Sequence, residues 1–230
     1  MATSPTTFGL LGLLAVRSWT GYELAKQMRR SLRFVWSSSE GHLYREQKRL
    51  VDLGWAEVEV EPSGGRSRKR YTITPAGEEA LRSWLATPPQ EPHFEVEGLL
   101  RLFFSDHGTL DDMITSMDAT AAAARSMLDE LLGFVDEYLA EGGPLWMLEH
   151  GVGGHGAERL EFRGRPMFPE RLHLVALVID ATTRLLADVE TFSRATANEA
   201  RTWRGAADPT NTAATRARLE AISARYRPGP

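Results

Sequence analysis

The stretch SSSEGHLYREQKRLVDLGW at residues 37–55, with EVEVEPSGGRSRKRYTIT at 57–74, decides how this chain is read. Its first part reads as a helix that follows the serines and runs to about Leu53, where Gly54 stops it. On a helical wheel Leu43, Gln47 and Leu50 share one side. Ser38, Arg45 and Arg49 lie opposite, with His42 beside them and Lys48 and Asp52 at the margins. Trp55, Glu57 and Glu59 then alternate with Ala56, Val58 and Val60, a strand signature. Pro62 to Gly65 turns the chain, and Arg66, Arg68, Lys69 and Arg70 lead into a second strand at Tyr71–Ile73. Cations this dense at a hairpin tip repel one another unless water or phosphate neutralises them. A helix for a DNA groove beside a basic loop for the backbone is the economical reading. A solvated helix face and a solubilising loop are the plain alternative.

Two helices precede this unit. Thr3 or Ser4 caps the first, with Pro5 in its first turn, and Phe8 to Val16 is apolar almost all round. Gly9 and Gly12 are expected to admit a close neighbour. Thr20-Gly-Tyr-Glu23 is a capping box that opens the second helix, with Leu24 and Met28 on one face. Lys26, Arg29, Arg30 and Arg33 gather towards its end, where cations suit the helix dipole. Two short helices before a third give the order of a helix-turn-helix, whose recognition helix enters the major groove. After the hairpin, Thr74 and Pro75 start another helix whose buried side is Leu81, Trp84 and Leu85.

This order of residues resembles the amino-terminal winged helix of the PadR family of transcriptional regulators. The resemblance rests on LLGLLA at 10–15, GYEL at 21–24, HLYREQKRLVDLGW at 42–55 and GGRSRKRYTITPAGEEALRSWL at 64–85. The segment from Phe94 to Phe104 is similar to the start of the family's carboxy-terminal domain. The resemblance implies a dimeric DNA-binding regulator, usually a repressor, whose carboxy-terminal helices make the dimer. Some members respond to phenolic or other aromatic small molecules. By position, Tyr44 and the basic residues around it fall on the recognition helix, and Arg66 to Arg70 fall on the wing.

The rest of the chain reads as an assembly domain. Residues 1–85 hold 13 Lys and Arg against nine Asp and Glu, whereas 86–230 hold 14 against 22. A basic head on an acidic body suits a nucleic-acid reader with a separate dimerisation part. Three prolines at 88, 89 and 92 make a stiff linker, so the expected division is 1–87, 88–93 and 94–230. Thr109 begins a long helix in which Ile114, Met117, Ala121, Ala124, Leu128, Leu131, Val135 and Tyr138 step by three and four. Pro169 opens a second, with Val175, Val178, Thr182, Leu185, Val189, Phe192, Thr196 and Trp203. From these seams Ile114, Met117, Ala121, Ala124, Leu128, Leu131, Val178, Leu185, Val189 and Phe192 are the expected dimer interface. Residues 151–168 read as a loop, and a short helix from Thr212 to Tyr226 closes the chain.

No set of reactive groups has the spacing of an active site. His150 and His155 lack an H-E-x-x-H setting, the glycine run at 151–156 does not follow a strand, and Met113, Met117 and Met127 suit a core. There is no cysteine, and no apolar run approaches the ~18 residues of a membrane span. The expectation is therefore a mainly α chain with a small β-hairpin: an amino-terminal winged helix-turn-helix and a carboxy-terminal long-helix dimerisation domain. It should work in the cytoplasm without a cofactor, as a homodimeric repressor of a palindromic double-stranded DNA operator, and the resemblance implies release by a small aromatic effector. Its DNA-facing residues would be Ser38, Ser39, His42, Tyr44, Arg45, Lys48, Arg49, Arg66, Arg68, Lys69 and Arg70. The competing expectation is a winged-helix interaction or ligand-sensing module without specific DNA binding, which Glu40, Glu46 and Asp52 near the basic edge would suit.

Overall fold

The computed structural model describes residues 3–63, 66–152, 160–207 and 212–227, in two compact units, Met1–His93 and Phe94–Pro230. The first opens with α1 (Pro5–Val16). Ser4 caps it, and the reciprocal arm of the capping box is a Thr7 hydroxyl. Phe8, Leu10, Leu11, Leu13 and Leu14 are all buried, so α1 is the axis of this unit. A Cβ on Gly9 would touch the flexible tip of Met28, but Gly12 has open space around it. The close approach expected at both glycines exists at one.

β1 (Trp19–Thr20) leads into α2 (Gly21–Ser31) and α3 (Glu40–Asp52), and then β2 (Ala56–Ser63), β3 (Arg66–Ile73) and α4 (Pro75–Leu85). The strands form an antiparallel sheet in the order β1-β3-β2, with Trp19 opposite Tyr71 and Ala56 opposite Ile73. The expected hairpin thus gains a third strand. Two residues are too few to display a period. What holds β1 is the buried Trp19, whose indole N–H donates to the Leu13 carbonyl at 2.9 Å.

Gly54 has φ +71°, the left-handed conformation that ends α3 and starts the hairpin. Thr74 donates its N–H to the Trp55 carbonyl at 3.0 Å and its hydroxyl to that of Gly54 at 2.7 Å, while capping α4. Trp84 stacks on Phe8, ring centroids 4.9 Å apart. Trp84 is nevertheless exposed on its other side, Leu81 is half-buried and Leu85 is exposed, so none of the three residues expected to form the buried side of α4 is fully covered.

The second unit comprises α5 (Glu97–Phe103), α6 (Leu110–Leu139), α7 (Pro144–Glu149), a hairpin β4 (Glu161–Phe162) and β5 (Arg165–Pro166), α8 (Leu172–Ala200) and α9 (Thr212–Tyr226). Thr109 and Asp112 cap α6 reciprocally. α5 begins three residues later than Phe94, and both α7 and the small hairpin lie where only a terminator and a loop were expected. The glycine run beyond Val152 and His155 lie outside the described residues. His150 stacks on Trp146 at 4.0 Å.

α6 and α8 pack antiparallel along their length, and two ion pairs set their register. Arg201 meets Asp118 at 2.6 Å and Arg125 meets Glu190 at 3.9 Å. This arrangement corrects the seam expected on α6. Met117, Ala121, Ala124 and Leu131 are buried within the single chain, Met117 completely, so they cannot also be the surface that meets a second copy. Ile114 and Leu128 are half-buried, as is Val189 on α8. The expected α8 residues Val178, Leu185 and Phe192 stay open, in one stripe with Leu174. The α8 seam also ends sooner than expected, since Trp203 lies beyond the helix. No helix among the described residues is long and apolar enough to cross a membrane.

Candidate nucleic-acid interface

The inward side of α3 is built from Leu43, Gln47 and Leu50, all buried, with the Gln47 amide donating to the Gly21 carbonyl at 2.9 Å. Glu46 is buried with them. Its carboxylate accepts the hydroxyls of Thr7 and, at 3.4 Å, of Ser4, which ties the middle of α3 to the start of α1. The sequence placed Glu46 near the basic edge. The structure turns it inward, because two hydroxyls some forty residues earlier satisfy a buried carboxylate that would otherwise be costly.

The outward side is centred on Gly41, Arg45, Lys48 and Asp52, with Tyr44 open beside it. Lys48 and Asp52, expected at the margins, are thus near the middle, and His42 and Arg49 are half-buried at one flank. Arg45 and Lys48 have no ion-pair partner among the described residues, whereas Arg29 holds Glu40 at 3.2 Å. Ser39 is the α3 cap, accepting the His42 N–H at 3.3 Å. Ser38 is half-buried, 3.1 Å from the Thr6 hydroxyl, to which the Trp36 indole also donates at 2.8 Å. These two serines hold the start of α3 in place. The sequence did not single out Tyr22, yet it is 62% exposed in the first turn of α2. The signal was available: Leu24 and Met28 are the inward face of that helix, and Tyr22 is off it.

The wing is less uniform than four cations suggest. Side chains alternate across a strand, so Arg68 and Arg70 share one face of β3 and Lys69 shares the other with Tyr71. Register places Arg68 opposite Glu61, Lys69 opposite Val60 and Arg70 opposite Glu59. The Arg70 guanidinium is bound by both oxygens of Glu61, which raise its pKa against the effect of burial, aided by Glu23 and Glu59. Arg70 is therefore tied within the wing, to Glu61 of β2, and is not an open cation. Arg68 and Lys69 are exposed, and the side chain of Arg66 lies outside the described residues.

The cap of α2 adds a carboxylate whose charge matters to the fold. Burial pushes the Glu23 carboxyl up, but hydrogen bonds from the Thr20 N–H and hydroxyl, both at 2.9 Å, and the charges of Arg70 and Arg17 outweigh it. The net effect holds Glu23 below its ordinary value near 4.5. A carboxylate so depressed stabilises the fold above that ordinary value, and the contribution disappears as pH falls through and below it. Thermal melts of Glu23→Gln, which keeps a capping partner for Thr20, should therefore fall less steeply with acid than those of the parent. Parallel pH profiles would remove Glu23 from the account.

A third helix with an open basic face, a hairpin wing after it and a third strand closing the sheet define a winged helix-turn-helix domain. Residues 10–83 match the Transcriptional regulator PadR-like family, and the chain carries a PadR-like domain. It is 24% identical over 140 residues to the negative transcriptional regulator PadR of Bacillus subtilis, covering 60% of this chain and 77% of that one. It is 29% identical over 80 residues to the probable transcriptional regulator Rv1176c of Mycobacterium tuberculosis, covering 34% and 42%. The fold is that of the B. subtilis PadR crystal structure in complex with operator DNA, with TM-score 0.65 and 19% identity over 86% of this chain and 99% of that one. The complex of the same protein with p-coumaric acid superposes with TM-score 0.58 and 19% identity over 85% and 98%.

Proposed function

We propose that the chain is a PadR-type transcriptional regulator that binds duplex DNA as a homodimer, one α3 in each of two major grooves. The observation that carries this is the division of α3 into a fully packed inner side and an outer side of Tyr44, Arg45 and Lys48 without ion-pair partners. Those three side chains face base edges, where sequence is read. His42 and Arg49 flank them, and Tyr22 faces the same duplex from α2. Arg68 and Lys69, with Arg66, grip phosphate from the wing, while Ser38, Ser39 and Arg70 hold the reading elements in position.

The two-fold arrangement comes from the open stripe of α8, and a palindromic operator follows from it, with half-sites one turn, ~10 base pairs, apart or a multiple of that. Repression is the mode that the negative regulator among the relatives supports. A small aromatic acid as releasing ligand is supported by the relative solved with p-coumaric acid. The site of action is the cytoplasm, with the DNA, and no catalytic role is proposed. The alternative without DNA binding keeps Asp52 on the outward face but loses two of its three supports, since Glu46 faces inward and Glu40 is paired with Arg29.

Selection of bound fragments followed by retention gels tests the reading: it requires a two-fold symmetric sequence, retained at moderate salt. Arg68→Gln with Lys69→Gln should weaken binding to every duplex and reduce the salt slope by about two per head, against no slope change for Arg70→Gln. Equal slopes in parent and wing double variant would remove the wing from the interface.

A further inference from the structure

Between the end of α2 and the start of α3 lies a cleft of about 360 Å³ that the proposed interface does not use. Its floor is Met28 and Leu43, both buried; Trp36, Ser37 and Ser38 make one wall, and Arg29 and Arg33 the other. The wall is rigid where it matters. The Trp36 indole and the Ser38 hydroxyl both hold Thr6, and Arg33 lies over the Phe34 ring at 4.6 Å. A concave site with hydroxyls and two guanidinium groups is a site for an anion.

We infer that this cleft is a seat for one backbone phosphate of the bound duplex, which Arg29 takes by exchanging its partner Glu40 for the phosphate. The inference rests on the DNA-binding reading above. In a helix-turn-helix the helix before the recognition helix crosses the sugar-phosphate backbone, so the end of α2 meets phosphate when α3 lies in the groove. Glu40, the first residue of α3, comes two residues after Ser38 of the cleft and pairs with Arg29, which lines it. Glu40 has the wrong sign for a DNA-facing surface, and the pair explains its presence. It favours the positive end of the α3 dipole and holds Arg29 beside the cleft in the free protein. Both side chains are about half exposed, at 45% and 51%, and an ion pair so open to water is cheap to break. Arg29 meets Glu40 through one nitrogen at 3.2 Å, whereas a guanidinium can fork onto phosphate through two, which favours the exchange.

The test is fluorescence anisotropy of the full chain on its selected duplex and on an unrelated duplex, between about 50 and 200 mM salt. Arg29→Gln and Arg33→Gln should each lower the slope of log affinity against log salt by about one per head, on both duplexes alike, and Arg29→Lys should retain it. Glu40→Gln should tighten binding several-fold, about threefold to tenfold, and that gain should vanish in the Arg29→Gln background. An unchanged slope in the Arg29→Gln/Arg33→Gln double variant overturns the seat, and a Glu40→Gln gain that survives Arg29→Gln overturns the exchange. Quenching of tryptophan fluorescence by benzoate that is lost in Trp36→Phe, with the slope unchanged, would reassign the cleft to a small aromatic acid. Absence of salt-dependent binding by the parent chain defeats the DNA reading itself, which a normal parent with unaltered variants would not. Arg29, Arg33 and Glu40 are at the surface, so their variants should melt with the parent.

Discussion

Leu185→Asp combined with Phe192→Asp should convert the chain from a dimer to a monomer at micromolar concentration. Both residues are nearly half exposed on α8, at 49% and 47%, one above the other at a spacing of seven, in the stripe that also holds Leu174 and Val178. In a two-fold interface each appears twice, so the double change removes four large apolar contacts and inserts four carboxylates. At about 1.5 kcal/mol for each buried side chain, the loss is about 6 kcal/mol, or roughly four orders of magnitude in the dimer constant. Sedimentation or light scattering reads the outcome directly, and specific retention of the operator should fail with it, because a single head holds a single half-site. A dimer that persists at micromolar concentration would show that another surface, such as the exposed apolar side of α5, joins the copies. Met117→Ala provides the contrast. That side chain is fully covered by its own chain, so truncation should cost about 2–5 kcal/mol of stability while the folded protein remains a dimer.

Arg45→Ala with Lys48→Ala should abolish sequence-specific retention while leaving the melting temperature almost unchanged. Both side chains point away from the packed side of α3 and neither has an ion-pair partner among the described residues, so the fold loses little when they are cut back. Each good base contact contributes about 1–3 kcal/mol of discrimination, and each residue is presented twice by a dimer. A fall of at least about a thousandfold on the operator is expected, with a far smaller loss on unrelated duplex. Competition gels with both duplexes separate these. If affinity for the two falls in parallel, Arg45 and Lys48 are phosphate contacts and the reading of bases belongs to Tyr44 and its neighbours.

Much of the head was legible because its signals are local. Thr20, Ser39, Thr74 and Thr109 cap helices by bonds to residues three positions on, and a cap of that reach can be read directly from a line of letters. Gly54 and the alternation after it marked the turn into the hairpin in the same way. The inward side of Glu46 was not legible in that sense. A wheel puts it 60° or so from Leu43, on the packed side, but a carboxylate there is tolerable only because Thr7 and Ser4 come to it from α1. The unequal roles of the wing cations were hidden for a related reason. Four cations in a row of five look equivalent until strand register puts Glu61 within reach of Arg70 and leaves Arg68 and Lys69 open. The short α7 and the two-residue β1 carry too few residues to show a period at all.

By itself the sequence determined the longer elements, their order, the basic edge of α3 and the need of two long helices for apolar neighbours. Only the tertiary structure decided whose neighbours they are. A three-four repeat records that a side chain must leave water, and burial is equally favourable whether the covering atoms belong to the same chain or to another. The antiparallel packing of α6 on α8 covers Met117, Ala121, Ala124 and Leu131 within one chain and leaves Val178, Leu185 and Phe192 of the opposite seam exposed, the stripe proposed for a second copy.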